Sequence, residues 1–110
     1  MSVAEASTRL VSETRNYPLP RAGSLLFRGG CPNDIVSLVI AAPMGSREEP
    51  PEKAGLSTLA LRMLSRGAAR HSDYDLAVAL ESIGASVGTD VQKDRAFVTV
   101  QTTTLQWERT

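Results

Sequence analysis

The apolar positions of this chain fall into short blocks, and the spacing within each block predicts its secondary structure. Ser24-Leu25-Leu26-Phe27-Arg28 is a brief apolar run closed by Gly29-Gly30 and predicts a strand. Cys31-Pro32-Asn33-Asp34 is a turn cluster. Ile35-Val36-Ser37-Leu38-Val39-Ile40-Ala41-Ala42 is rich in β-branched residues and apolar at both parities. That pattern predicts a central strand covered on both faces. Pro43 ends it, and Gly45 to Lys53 forms a charged, proline-bearing loop. From Ala54 to Arg66 the period changes to that of a helix. Leu56, Leu59, Ala60, Met63 and Leu64 share one stripe, and Leu61 widens it over most of the girth, implying burial on more than one side. Gly67 fits a left-handed residue just past the helix end.

A second helix is signalled by Ser72 as N-cap, with Asp73 and Asp75 in the first turn, where carboxylates complement the helix dipole. Leu76, Ala77, Leu80 and Ile83 form its buried stripe, and Gly84 stops it. Ala85 to Asp90 predicts a strand, Val91 to Asp94 a turn, and Arg95 to Leu105 a second strand that completes a hairpin. The order strand, strand, helix, helix, strand, strand predicts an α+β class, an antiparallel sheet with two helices packed to one side. Residues 1–23 are polar and stopped by Pro18-Leu19-Pro20, so they are expected to be a loose tail or a weakly docked arm, with the domain proper at 24–110.

The chain has 110 residues, 42% of them apolar and 22% charged, with no net charge. One domain of modest core fits that length. Charge balance and a scarcity of aromatics argue against nucleic acid, and no basic patch addresses a membrane surface. No apolar run approaches the length of a membrane span, and the N-terminus lacks the continuous apolar core of a secretory signal. Glu5 and Glu13 speak against a mitochondrial transit peptide. The default expectation is a cytoplasmic location. A single cysteine and a single histidine exclude a disulfide framework, a cysteine-rich zinc site and any two-histidine site within the chain. No glycine loop has phosphate-binding spacing.

The remaining chemistry-bearing residues read as structural. His71 precedes a helix cap without a carboxylate or cysteine at ligand spacing, and is expected as an exposed loop histidine. Cys31 is expected as a free turn thiol. Asp73 and Asp75 stand two apart on a helix and face different ways, so with Glu81 they form no acid–base pair. The run Glu48-Glu49-Pro50-Pro51-Glu52 is expected to be a solvated connection rather than a docking loop. Trp107 is either an exposed anchor or part of a core completed elsewhere.

Gly45-Ser46-Arg47-Glu48-Glu49-Pro50, Gly55-Leu56, Met63-Leu64-Ser65-Arg66-Gly67, Leu80-Glu81-Ser82-Ile83-Gly84-Ala85 and the strand Asp94 to Val100 occur in order. Together they resemble the N-terminal domain of the pitrilysin/insulinase family of zinc metallopeptidases, from about residue 24 to the end. The family includes the mitochondrial processing peptidases. The ordered set is far more specific than any single piece. The resemblance implies about half of one pitrilysin-like domain. In that family an H-x-x-E-H helix binds zinc through its two histidines, and its glutamate is the general base for a zinc-bound water.

Carried onto this chain, the first histidine falls on Thr58, the glutamate on Leu61 and the second histidine on Arg62. Threonine is a poor zinc ligand, leucine takes no proton, and arginine keeps its positive charge. The family's third ligand, a glutamate, comes from a helix downstream of Thr110. The resemblance therefore implies no catalytic residue, no metal ligand and no cofactor here, and a likeness to the family's zinc-less partner subunits. Thr58, Leu61 and Arg62 have two readings, the floor of a peptide-holding chamber or a helix face without a task, and the second is favoured. Arg62 is placed to pair with Glu48, Glu49 or Glu52.

The expected function is a catalytically inactive, truncated peptidase-like domain, acting by association with a catalytic peptidase subunit or by self-association. The alternatives are a piece of a split zinc metalloendopeptidase completed by another chain, and a gene remnant without function.

Overall fold

The structure, a computed structural model, describes residues 13–21, 23–30, 32–68 and 70–110. Cys31 and residues 1–12 lie outside them. The chain divides into two units, one ending at Asp34 and the other spanning Ile35–Thr110.

In the first unit, β1 (Thr14–Pro18) pairs antiparallel with β2 (Ser24–Arg28), in a register that sets Tyr17 opposite Leu25 and Arg15 opposite Phe27. The strand β2 was expected. The strand β1 was not, because residues 14–18 were read as tail. Thr-Arg-Asn-Tyr-Pro has no apolar alternation, so its extended state comes from its partner rather than from its own pattern. Leu19 N–H donates to Gly23 O across the turn at 3.2 Å, with Gly23 at a φ of 90°. A proline at the end of an edge strand costs no ladder bond.

The second unit is α+β. Its sheet has the order β3-β7-β6, all antiparallel, from β3 (Ile35–Ala42), β6 (Ser86–Val91) and β7 (Ala96–Thr103). The predicted hairpin is present as β6–β7. The register places Val36, Leu38, Ile40 and Ala42 beside Ala96, Val98, Val100 and Thr102, and these beside Val87, Thr89 and Val91. That face is almost wholly apolar, and Ala96 and Thr102 on it are buried. The opposite face mixes Ser37, Thr99, Gln101, Thr103, Ser86 and Asp90 with the apolar Ile35, Val39, Ala41 and Phe97.

One expectation fails here. β3 is an edge strand, and β7 is the central one. β3 is apolar at both parities, yet Ile35, Val39 and Ile40 are exposed. A two-parity apolar pattern says that a strand tolerates burial on both sides, but not how many neighbours it acquires.

The first helix, α1, spans Leu56–Met63 and is shorter than the predicted Ala54–Arg66. A 3-10 turn at Pro51–Lys53 and a left-handed Gly55 (φ 94°) displace its start. Its buried residues are Ser57 and Leu61, whereas Leu56, Leu59, Met63 and Leu64 are exposed. The predicted stripe was therefore the wrong face. Because the helix is apolar around most of its girth, periodicity could not choose a side, and packing of α1 against β6 chose that of Leu61. Gly67 has the expected positive φ, 135°, but it lies in β4 (Gly67–Ala68), paired with β5 (His71–Ser72), rather than just past the end of α1, and a Cβ there would stand 3.0 Å from His71 O.

The second helix, α2 (Asp73–Ser82), follows its sequence closely and packs against β4 and β5. Ser72 Oγ accepts from Asp75 N–H at 3.2 Å, and an Asp75 carboxylate oxygen accepts from Ser72 N–H, so a reciprocal capping box closes the N-terminus. At the other end Gly84 (φ 67°) donates to Glu81 O and Ala85 donates to Leu80 O. That pair of bonds is the Schellman arrangement, with glycine at the left-handed position. Leu76, Leu80 and Ile83 are half-buried, while Ala77 is exposed. Trp107 opens a 3-10 turn, Trp107–Arg109, and is exposed.

The cap predicts a measurable stability difference. Ser72→Ala is expected to lower unfolding free energy by about 1 kcal/mol, and Ser72→Gly by only roughly 0.3 kcal/mol. Urea unfolding followed by circular dichroism reads both, and an alanine variant as stable as the parent would mean α2 does not depend on this hydroxyl.

Candidate functional site

The site is built on α1 and on the loop that feeds it. Main-chain bonds tie that loop to the β6–β7 turn. Ser46 N–H donates to Gln92 O at 3.1 Å, and Arg47 N–H to Lys93 O at 3.0 Å. Gly45 is buried there, and a Cβ on it would stand 2.2 Å from Lys93 O, so no larger residue fits without a shift. An Arg47 guanidinium nitrogen lies 3.0 Å from an Asp94 carboxylate oxygen, with both side chains largely exposed. A pair so exposed contributes at most about 1 kcal/mol.

Glu49 then reaches forward to the start of α1. Its two carboxylate oxygens accept from Gly55 N–H and Ser57 N–H, each at 2.7 Å. Gly55, at the N-cap, has no side chain to perform this task, and no acidic residue stands in the first turn. Glu49 supplies both the missing acceptor and the negative charge that a helix N-terminus favours. The Gly55 amide, then the Ser57 hydroxyl and amide, hold the Glu49 carboxyl below the usual glutamate range, against a weaker opposing effect of desolvation.

This corrects the reading of Glu48 to Glu52 as a wholly solvated connection. Glu48 and Glu52 are exposed, but Glu49 is half-buried and bound. Its role was hidden because it acts six and eight residues ahead, beyond the spacing of a local cap. The G-S-R-x-E pattern was the only available signal.

Thr58, Leu61 and Arg62 occupy neighbouring positions on α1, at i, i+3 and i+4. Thr58 is half-buried, Leu61 is 9% exposed, and Arg62 is exposed. The expected pairing of Arg62 with the acidic loop is not formed. Arg47 pairs with Asp94 and Arg66 with Asp73, and Glu49 is engaged by α1 itself. A hydroxyl, a hydrocarbon and a guanidinium are not a donor set for Zn²⁺. Among the described residues no cluster of three or more His, Cys, Asp and Glu side chains is placed to hold a metal ion. His71 is exposed in β5. Lys53, Ala54, Gly55, Leu56 and Leu59 line an open depression beside the helix start.

The arrangement is thus a helix whose start is gripped by a carboxylate and whose middle is fixed by Leu61. Residues 30–109 match the family model for insulinase, peptidase family M16. This chain belongs to the insulinase family. Its fold is also similar to that of a protease from Helicobacter pylori, with a TM-score of 0.77 at 10% identity. That match covers 90% of this chain and 24% of the protease, so the chain spans about a quarter of the length of that relative. A comparison with curated proteins finds no match. The sequence resemblance to the family and its α+β class therefore stand. No helix among the described residues is long and apolar enough to cross a membrane.

Two outcomes follow for the insulinase-family domain. The folded-state pKa of Glu49 lies below its unfolded value, so its contribution is complete above the unfolded value and is lost as pH falls through the folded one. Glu49→Gln is therefore expected to destabilise the chain at neutral pH, with the gap to the parent closing on acidification. Urea unfolding across a pH series measures it, and a gap that widened in acid would contradict the assignment. Leu61→Ala is expected to cost about 2 kcal/mol or more, and Leu59→Ala, on the exposed face, within about 0.5 kcal/mol. The reverse ranking would show that the buried face of α1 is wrongly placed.

Proposed function

We propose that this insulinase-family domain is catalytically inactive and serves as a non-catalytic partner or interaction module in peptide proteolysis. The observation that carries this reading is Leu61, a buried hydrocarbon at the position that the H-x-x-E-H pattern gives to the general base. The neighbouring position places the fixed charge of Arg62 where the pattern has an imidazole, and that charge repels a divalent cation. A peptidase of this kind needs a water made acidic by zinc and a carboxylate to take its proton. Neither requirement is met by Thr58, Leu61 and Arg62.

An associative role is supported by the apolar surface of the second unit. Leu56, Leu59 and Met63 on α1 and Ile35, Val39 and Ile40 on β3 are exposed. Among the described residues the buried apolar positions are Leu61, Ala85 and Ala96. Exposed apolar groups in such proportion favour association, and the absence of net charge gives no repulsion against it. The same surface supports a second reading, in which the chain supplies a wall of a split metalloendopeptidase and another polypeptide supplies the zinc.

Elemental analysis and a peptidase assay on the purified chain test the first reading. The expected result is zinc far below one equivalent and no cleavage sensitive to chelators. Stoichiometric zinc, or peptide hydrolysis abolished by chelation, would overturn it. Recovery of a chelator-sensitive peptidase activity only when a second, zinc-bearing chain is added would select the second reading.

A further inference from the structure

The loop Gly45–Glu49 touches two elements that have no residue in common, the β6–β7 turn and the N-terminus of α1. At its front, Gly45 sits against Lys93, and the Ser46 and Arg47 amides donate to Gln92 and Lys93 carbonyls. At its back, Glu49 accepts from Gly55 and Ser57. Between them lies a single 3-10 turn, Ser46–Glu48, which also packs against α1. The turn is tightened by the Glu48 N–H bond to Gly45 O and the Glu49 N–H bond to Ser46 O. Glu49 therefore stands one short, internally bonded turn away from the hairpin contact. The hairpin turn is itself closed by Gln92 N–H to Arg95 O at 2.8 Å.

We infer that the β6–β7 turn sets the position of the α1 N-terminus, acting through the Gly45–Glu49 loop as a rigid spacer that aims the Glu49 carboxylate. Nothing at the start of α1 replaces that aim, since Gly55 carries no side-chain cap. A displacement of the hairpin turn moves the acceptor, and the Gly55 and Ser57 amides lose it together. Glu49 is a positioning residue in this device, and Gly45 is the point at which the hairpin enters it.

Two substitutions separate the coupling from simple loss of fold. Gly45 has a φ of −162° and a ψ of 179°, extended backbone that alanine adopts freely, so Gly45→Ala acts through its contact with the Lys93–Asp94 peptide. Ser46→Pro deletes one docking donor at the first position of the 3-10 turn, where proline's fixed φ is compatible, and the extended Gly45 tolerates a following proline. Both leave Glu49, Gly55 and Ser57 in place, and Ser46→Pro keeps the carbonyl that accepts from Glu49 N–H.

Amide hydrogen exchange of the full 110-residue chain reads the result. The Gly55 and Ser57 amides are expected to exchange about fivefold to tenfold faster in both variants, as after loss of a cap. The Asp75 amide in the α2 capping box is expected to stay as in the parent. Unchanged Gly55 and Ser57 exchange, with the Arg47 amide freed, would overturn the inference. So would acceleration that reaches Asp75 equally in Ser46→Pro, because that is loss of the whole fold rather than of one coupling. If Gly45→Ala does not fold, Ser46→Pro alone decides.

Discussion

A carboxylate held against the open end of a short helix is the constraint on which the rest of the second unit depends. α1 has two turns of helix, a length at which an isolated helix is marginal in water. It begins at a glycine without a cap and has no acidic residue in its first turn. Glu49 supplies both, from a loop fastened to the far hairpin. With the start fixed, the helix presents Leu61 to the sheet and leaves Leu56, Leu59 and Met63 outside. The Glu49 bonds mark where the helix begins, and packing against β6 sets the side on which Leu61 lies.

The two helices achieve order by opposite means. α2 carries its own punctuation, with the Ser72–Asp75 capping box at one end and the Gly84 Schellman turn at the other. It needs no distant residue to define its ends. α1 borrows its start from Glu49 and ends by tightening into 3-10 bonds, Leu64 to Leu61 and Arg66 to Met63. Arg66 then pairs with Asp73 at the head of α2. α1 is thus the helix more dependent on its surroundings. Gly45, Ser46, Arg47 and Glu49 all make contacts that hold the frame. Of Thr58, Leu61 and Arg62 on α1, Leu61 alone is buried.

These contacts set apart two kinds of position. The frame residues act through backbone geometry and a buried contact, which punish substitution directly. The motif positions face a different constraint. A carboxylate at Leu61 would sit where water is largely excluded, and burial without a cation or a donor is costly. Leucine carries no such cost there and adds apolar contact.

α2 and its caps, the β6–β7 hairpin, the strands β2 and β3, the α+β class and the family, through its ordered motifs, are all legible along the chain. Each rests on local information: hydrophobic period, cap spacing, glycine at a left-handed turn. Folding in three dimensions settles which face of α1 is buried, that β3 lies at the edge of its three-stranded sheet, that residues 14–18 form a strand, that Gly67 belongs to a strand pair, and that Glu49 rather than Arg62 is the engaged charge beside α1. Those features depend on partners far along the chain. Thr14–Pro18 is extended because β2 is beside it, and Leu61 is inside because α1 packs against β6 on that side. A pattern read along one segment specifies what that segment tolerates, and its neighbours in space select among the tolerated states.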